Sequence, residues 1–353
     1  MHLRHSQRDH VHRRPLTPTT AATAVSLAAA VTVTLVGIAF PEVVAAAGPA
    51  VLVAGFLLGL PHGAADHLVP RWAAAERLRR AGMVTVVAGY ITAAGLAWAA
   101  LSFVGPWALP LMMLVSLVHF GLGDVVTEAQ RDATPAPTGW ELAVSVFARG
   151  GPSMVLPLVC WPGTLDAALN AFDPKVTALL SPPVRAVLLT LLAVACVVTG
   201  VRAWRAGRRL VLVELVVLLA LFAGTPPLAA FGVYFGAWHS LRHLARMLEA
   251  DPRNAADLGA GRWGAPVRRF VAAAAVPTTG ALVVTAALAE LASQTPLLVP
   301  ILSILLALTV PHVVFVAILD EASGCWDTAP AHGVPDERRY GLPPQRRAAA
   351  ADV

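Results

Sequence analysis

Ala21 to Phe40 contains no charged residue and, as a helix, is long enough to cross the roughly 30 Å hydrocarbon core of a bilayer. Nine more apolar runs follow, at roughly Pro49 to Leu68, Met83 to Val104, Pro106 to Thr127, Trp140 to Cys160, Val184 to Val201, Leu210 to Ala223, Pro227 to Glu249, Val267 to Leu291 and Pro296 to Leu319. Segments like these must satisfy their backbone hydrogen bonds without water, and helices do so internally. The expected fold is therefore all-α, a polytopic bundle of about ten transmembrane helices. Composition agrees, with 57% hydrophobic and 13% charged residues and a mean hydropathy of +0.68, where soluble proteins average roughly 25% charged. The run at Leu210 is short for a crossing, and the run at Trp140 is interrupted by Gly150, Gly151 and Pro152, so tilt, kink or re-entry is open for both.

Arginines set the expected orientation. Arg71, Arg77, Arg79 and Arg80 follow the second run, Arg131 the fourth, Arg202, Arg205, Arg208 and Arg209 the sixth, and Arg253, Arg262, Arg268 and Arg269 the eighth. The loops on the other side, Pro41 to Gly48 among them, hold Lys175 as their one basic residue. Both termini are expected in the cytoplasm of a multi-pass cell-membrane protein. The formal charge of +5 thus reflects membrane orientation, and no nucleic-acid partner is expected.

Residues 1–20, with Arg4, Arg8, Arg13, Arg14 and the histidines His2, His5, His10 and His12, read as a disordered basic leader. The small-residue run Ala45 to Ala47 imitates a signal-peptidase site, but the apolar segment before it exceeds a secretory core, so it reads as a retained first span. The membrane domain is expected over 21–320, with a cytoplasmic polar tail at 321–353. Cys160, Cys196 and Cys325 have no metal spacing and read as free core thiols.

Histidines interrupt this apolar pattern. His239 and His243 lie four residues apart in FGVYFGAWHSLRHLARMLE, one helical turn on one face, and so form half a metal site. His62, His119 and His312 stand in three other apolar runs. All five lie on even-numbered runs that share one direction, about 18 to 24 Å in from the outer end at 1.5 Å per residue. A shared depth points to one intramembrane metal site, because a buried imidazole needs partners and one ion satisfies several at once. Imidazole suits iron, zinc, copper and nickel alike. Asp66 follows His62 by four residues and Asp124 follows His119 by five. Either carboxylate could orient a ligand, or both could mark helix ends and pair with Arg71, Arg242 or Arg246. His67 points about 100° away from Asp66 on a helix and is read as interfacial or as an outer support of the site.

The segments PHGAADH around His62, HFGLGD around His119, YFGAWHSLRHLAR around His239 and PHVVF around His312 resemble the Brp/Blh family of membrane-embedded β-carotene oxygenases. The resemblance covers roughly residues 50 to 320. Each block alone is weak, but their combination in this order is specific. It implies an enzyme that uses O₂ to cleave β-carotene at its central 15,15′ double bond, giving two molecules of retinal. It also implies non-haem Fe(II) held by His62, His119, His239 and His243, and a possible link to a retinal-binding rhodopsin. His312 lies outside those four, although its depth admits it.

A polyene without polar groups partitions into lipid, so an intramembrane site suits it, and Phe56, Phe120, Phe231, Tyr234, Phe235, Trp238 and Phe315 lie near the histidine layer. Monooxygenase and dioxygenase chemistry are both open at this stage. Other classes fit less well. Membrane di-iron desaturases carry several HxxxH and HxxHH clusters, whereas this chain has one HxxxH. Two histidines on one helix cannot supply opposite axial ligands to a haem. A non-cleaving membrane metal-binding transporter remains the alternative class.

Overall fold

The first helix begins where Thr17 can cap it: its side-chain oxygen accepts from the Thr20 backbone N–H at 3.2 Å, and Pro18 occupies the first turn. This is α1, Pro18–Ala39, so the last three residues assigned to the leader are its opening turn. The computed structural model describes residues 16–72, 76–291 and 298–326; the leader as far as residue 15 and the polar tail beyond residue 326 lie outside the described residues. Only Phe40 separates α1 from α2, Pro41–Gly59, because Pro41 is preorganised to start a helix. The outer loop expected at Pro41 to Gly48 is therefore helical.

Further along lie α3, Glu76–Phe103, kinked at Gly82 with φ of 81°; α4, Ala108–Asp132; α5, Gly139–Cys160; α6, Pro182–Arg205; and α7, Arg209–Gly224. The next run is divided. It begins as α8, Pro227–Val233, widens into a π-helix at Tyr234–Ser240, and continues as α9, Leu241–Ala250. Helices α10, Gly264–Leu291, and α11, Leu298–Ala322, complete the bundle.

Among the described residues, eight helices are long and apolar enough to cross a membrane. The chain is an all-helical multi-pass membrane protein. Among the described residues all ten apolar runs form helices over most of their length, but two are not among those eight: α7, which has only 16 residues, and the divided run from Pro227 to Ala250. Helix α5 is not broken at Gly150, Gly151 and Pro152; it is continuous. Its glycines serve contact instead. A Cβ on Gly150 would lie 2.0 Å from the Leu117 carbonyl oxygen, and one on Gly121 would lie 2.2 Å from that of Val146, so α4 and α5 touch backbone to backbone.

A second close contact joins α2 to α8, where Gly55 meets Gly232 and Gly236. The main buried core includes Phe120, Phe222, Tyr234, Phe235 and Trp238. Helices α3 and α10 sit at the periphery and expose Val84, Ile91, Leu96, Val271, Val276 and Val283. On a membrane protein such a belt is the face offered to acyl chains.

Candidate metal centre

His62 stands just beyond the end of α2. After α2 ends at Gly59 a single α-helical turn follows at Pro61–Ala64; the chain then departs from helical geometry at Ala65 and passes into a 3-10 turn at Asp66–Leu68. Irregular backbone at membrane depth is tolerated only where protein covers it, and here α10, α11 and α9 do so. His62 Nδ1 is hydrogen-bonded to the Gly59 carbonyl. A carbonyl can only accept, so Nδ1 carries the proton and Nε2 presents its lone pair.

His239 is the penultimate residue of the π-helix. Wide turns of this kind recur at functional sites because the extra residue leaves backbone groups outside the regular ladder. Here the Ala237 carbonyl accepts from Ser26 Oγ of α1 at 2.8 Å, which anchors the π-helix to the first span. The rings of His239 and His243 are nearly parallel, 7° apart, with centroids separated by 6.5 Å, as the one-turn spacing requires.

The structure gathers all five intramembrane histidines. His62 lies 5.3 Å from His239, 5.5 Å from His243 and 4.9 Å from His312 by ring centroid, while His119 lies 4.8 Å from both His239 and His312. All five are buried. His119 Nε2 and His239 Nε2 face each other at 3.1 Å. Two imidazole nitrogens bound at right angles to one ion, each about 2.1 Å from it, would be about 3.0 Å apart. In addition, His243 Nε2 and His312 Nε2 are buried without a hydrogen-bond partner, which is costly for a polar atom unless something else occupies it. Ligand atoms of His62, His239 and His312 lie within 4.8 Å of one another, as do those of Asp66, His243 and His312. This donor set fits a metal ion.

The two aspartates divide. Asp66 does not share a helix face with His62, because the chain has left the α-helix between them; it accepts instead from His312 Nδ1 at 2.7 Å and from Tyr90 OH at 3.1 Å. Asp124 accepts from Trp238 Nε1 at 3.0 Å and from Arg242 at 3.3 Å, so of its two readings the arginine pairing is the one observed. The Arg242 guanidinium also lies 3.8 Å over the Trp238 ring. His67 is half-buried, with Nδ1 3.0 Å from the Ala64 carbonyl.

Beside the histidines is a cavity of about 10 Å³, room for about one water molecule, lined by His119, Asp124, His239, Arg242, His243 and Arg246. A buried ionic layer continues from it. Arg242 and Arg131 both meet Glu214, at 2.8 and 2.7 Å; Arg149 donates to Glu128 at 2.5 Å; and Arg246 donates to Asp320 and, at 2.8 Å, to Gln130. Tyr90, Glu128, Arg149 and Glu214 were not singled out from sequence. Their signal was present, since an ionisable group inside an apolar run, as Glu214 in RLVLVELVVLLA, needs a partner in the fold. Of the seven aromatics expected near the site, Phe235 stands edge-on to His62 at 5.7 Å and Phe120 meets His239 at 4.7 Å, whereas Phe315 packs on Tyr90.

The profile of the Beta-carotene 15,15'-dioxygenase family matches residues 53–320. Among curated proteins, the chain is similar to the Probable beta-carotene 15,15'-dioxygenase Blh of Halobacterium salinarum, 29% identical over 289 residues that span 76% of this chain and 83% of the relative. It is also similar to that organism's Probable beta-carotene 15,15'-dioxygenase Brp, 32% identical over 310 residues, spanning 76% of this chain and 82% of the relative. The Beta-carotene 15,15'-dioxygenase of uncultured marine bacterium 66A03 is 28% identical over 198 residues, or 53% of this chain and 65% of the relative. No solved structure matches. The matched region contains all four histidine-bearing segments, and the resemblance drawn from them is borne out: the chain belongs to the beta-carotene 15,15'-dioxygenase family.

Proposed function

We propose that this protein cleaves β-carotene with O₂ at the central 15,15′ double bond to give two molecules of retinal, using non-haem Fe(II) held by His62, His119, His239 and His243. The convergence of these buried imidazoles, with an orphaned nitrogen among them, carries the reading. Bound Fe(II) would supply the electrons that make O₂ reactive toward an alkene.

The rest falls to the chain's own side chains. The Gly59 carbonyl holds His62 in the tautomer that turns Nε2 toward the other imidazoles. Phe231 and Phe235 stack at 6.0 Å and 11°, and Phe235 in turn lies over His239 at 6.4 Å. Phe231 is only half-buried, so this pair makes an apolar aromatic approach from the lipid side of α8 to the histidines. A flat hydrocarbon chain would lie along it with its middle held against the site. The buried core excludes bulk water from the reacting bond. Retinal formed here remains in the bilayer, where a retinal-binding rhodopsin could take it up. The protein sits in the cell membrane with both termini cytoplasmic, as the arginine distribution favours.

Expression in bacteria that make β-carotene tests the reading. Loss of orange colour with accumulation of retinal is the expected result, and His239→Ala is expected to abolish both. Unchanged colour with the intact, membrane-inserted protein would overturn the reading and favour the non-cleaving metal-transporter class.

A further inference from the structure

We infer that His312 is a fifth imidazole ligand of the same centre, oriented by Asp66 and Tyr90. This assignment rests on the metal reading above and extends it to a helix outside the four-histidine set.

Three observations carry it. His312 is central to the cluster: its ring lies 4.9 Å from His62, 4.8 Å from His119 and 5.3 Å from His243. Among the described residues, the two groups whose donor atoms come within 4.8 Å of one another share one member, His312. Finally, its nitrogens are differentiated. Nδ1 is engaged by Asp66 Oδ2 at 2.7 Å, while Nε2 is buried with no partner.

A carboxylate on one ring nitrogen and a vacant lone pair on the other is the arrangement metal-binding histidines adopt, because the outer hydrogen bond fixes the tautomer and makes the inner nitrogen more basic. Asp66 is itself held, since Oδ2 also accepts from Tyr90 OH at 3.1 Å. The turn at Pro61–Ala64 closes the other side: a Cβ on Gly63 would rest 3.5 Å from His312 Nδ1, so the ring is in contact with the segment that carries His62. A histidine buried only for packing would not require the carboxylate, the tyrosine and a free inner nitrogen together.

The test uses full-length protein purified in detergent and loaded anaerobically with Fe(II). Iron affinity and the imidazole count from X-ray absorption are compared among the wild type, His312→Gln and Asp66→Asn. The glutamine keeps an amide N–H able to donate to Asp66, so the second-span turn retains its contact. Wild type is expected to bind one iron with five imidazoles. His312→Gln is expected to show four imidazoles and weaker binding, and Asp66→Asn to weaken binding about 10- to 100-fold while keeping five. Wild-type protein that takes up no iron would overturn the metal reading and this assignment with it. Wild-type protein that binds iron through four imidazoles, or whose iron site is unaltered in His312→Gln, would overturn this assignment alone. Should His312→Gln fail to fold, the wild-type imidazole count and Asp66→Asn still decide it.

Discussion

Gly55 and Gly232 meet so closely that a Cβ added to Gly55 would lie 2.1 Å from the Gly232 carbonyl oxygen. His62 lies three residues beyond the end of α2, and the π-helix carrying His239 begins two residues after Gly232, so this contact helps set the distance between two of the five imidazoles. Gly55→Ala is expected to push the helices apart, at a cost of about 1–3 kcal/mol. Thermal unfolding in detergent should show lowered stability together with reduced iron content. Gly95→Ala, where a Cβ meets nothing within 4 Å, is the control and should leave both unchanged or slightly improved.

Ser26 Oγ reaches the Ala237 carbonyl within the π-helix and also lies 2.7 Å from the Ala22 carbonyl. Ser26→Ala leaves the Ala237 oxygen buried without that donor. A loss of about 1–3 kcal/mol is expected, measured by unfolding in detergent. Ser102→Ala is the comparison, because that exposed hydroxyl bonds only within its own helix; its effect should be small.

Arg149 and Glu128 form a buried ion pair at 2.5 Å, bridging α5 and α4. Removing Glu128 strands the Arg149 charge, and removing Arg149 leaves Glu128 only the Arg208 guanidinium at 3.9 Å, so Arg149→Met and Glu128→Leu are each expected to destabilise, by up to about 3–5 kcal/mol. The double variant Arg149→Met/Glu128→Leu should cost much less than the sum of the singles. Additive losses in a double-mutant cycle would show that the two side chains act independently.

Metal removal should be visible without any substrate. An ion bound to the folded state alone stabilises it by about 2.7 kcal/mol when present at 100 times its dissociation constant. Chelation is therefore expected to lower the unfolding temperature, and Fe(II) added back should restore it. In His239→Ala the midpoint should become insensitive to both treatments.

Much of this was written in the sequence because its causes are local. Lipid demands long apolar helices, and a histidine inside one stands out wherever it occurs, so the helical runs and the histidine layer could be read from residue order and spacing. What escaped depends on packing. Asp66 looked like a helical neighbour of His62; the chain turns between them, and Asp66 meets His312 from α11 instead. Gly150 and Gly151 looked like breakers, whereas Gly150 and Gly121 admit a neighbouring backbone. The π-helix has no marker in residue type, since the Ser26 bond that supports it comes from a span 211 residues earlier.

The pairing of Asp66 with His312 joins positions 246 residues apart. A chain inserted from its N-terminus therefore has nearly all its helices in the bilayer before this carboxylate finds its imidazole. Truncation or stalling ahead of α11 leaves an acid in the apolar interior with its partner still unmade. On the metal assignment proposed above, loading would follow translation of α11, because His312 is not in place before that span is made.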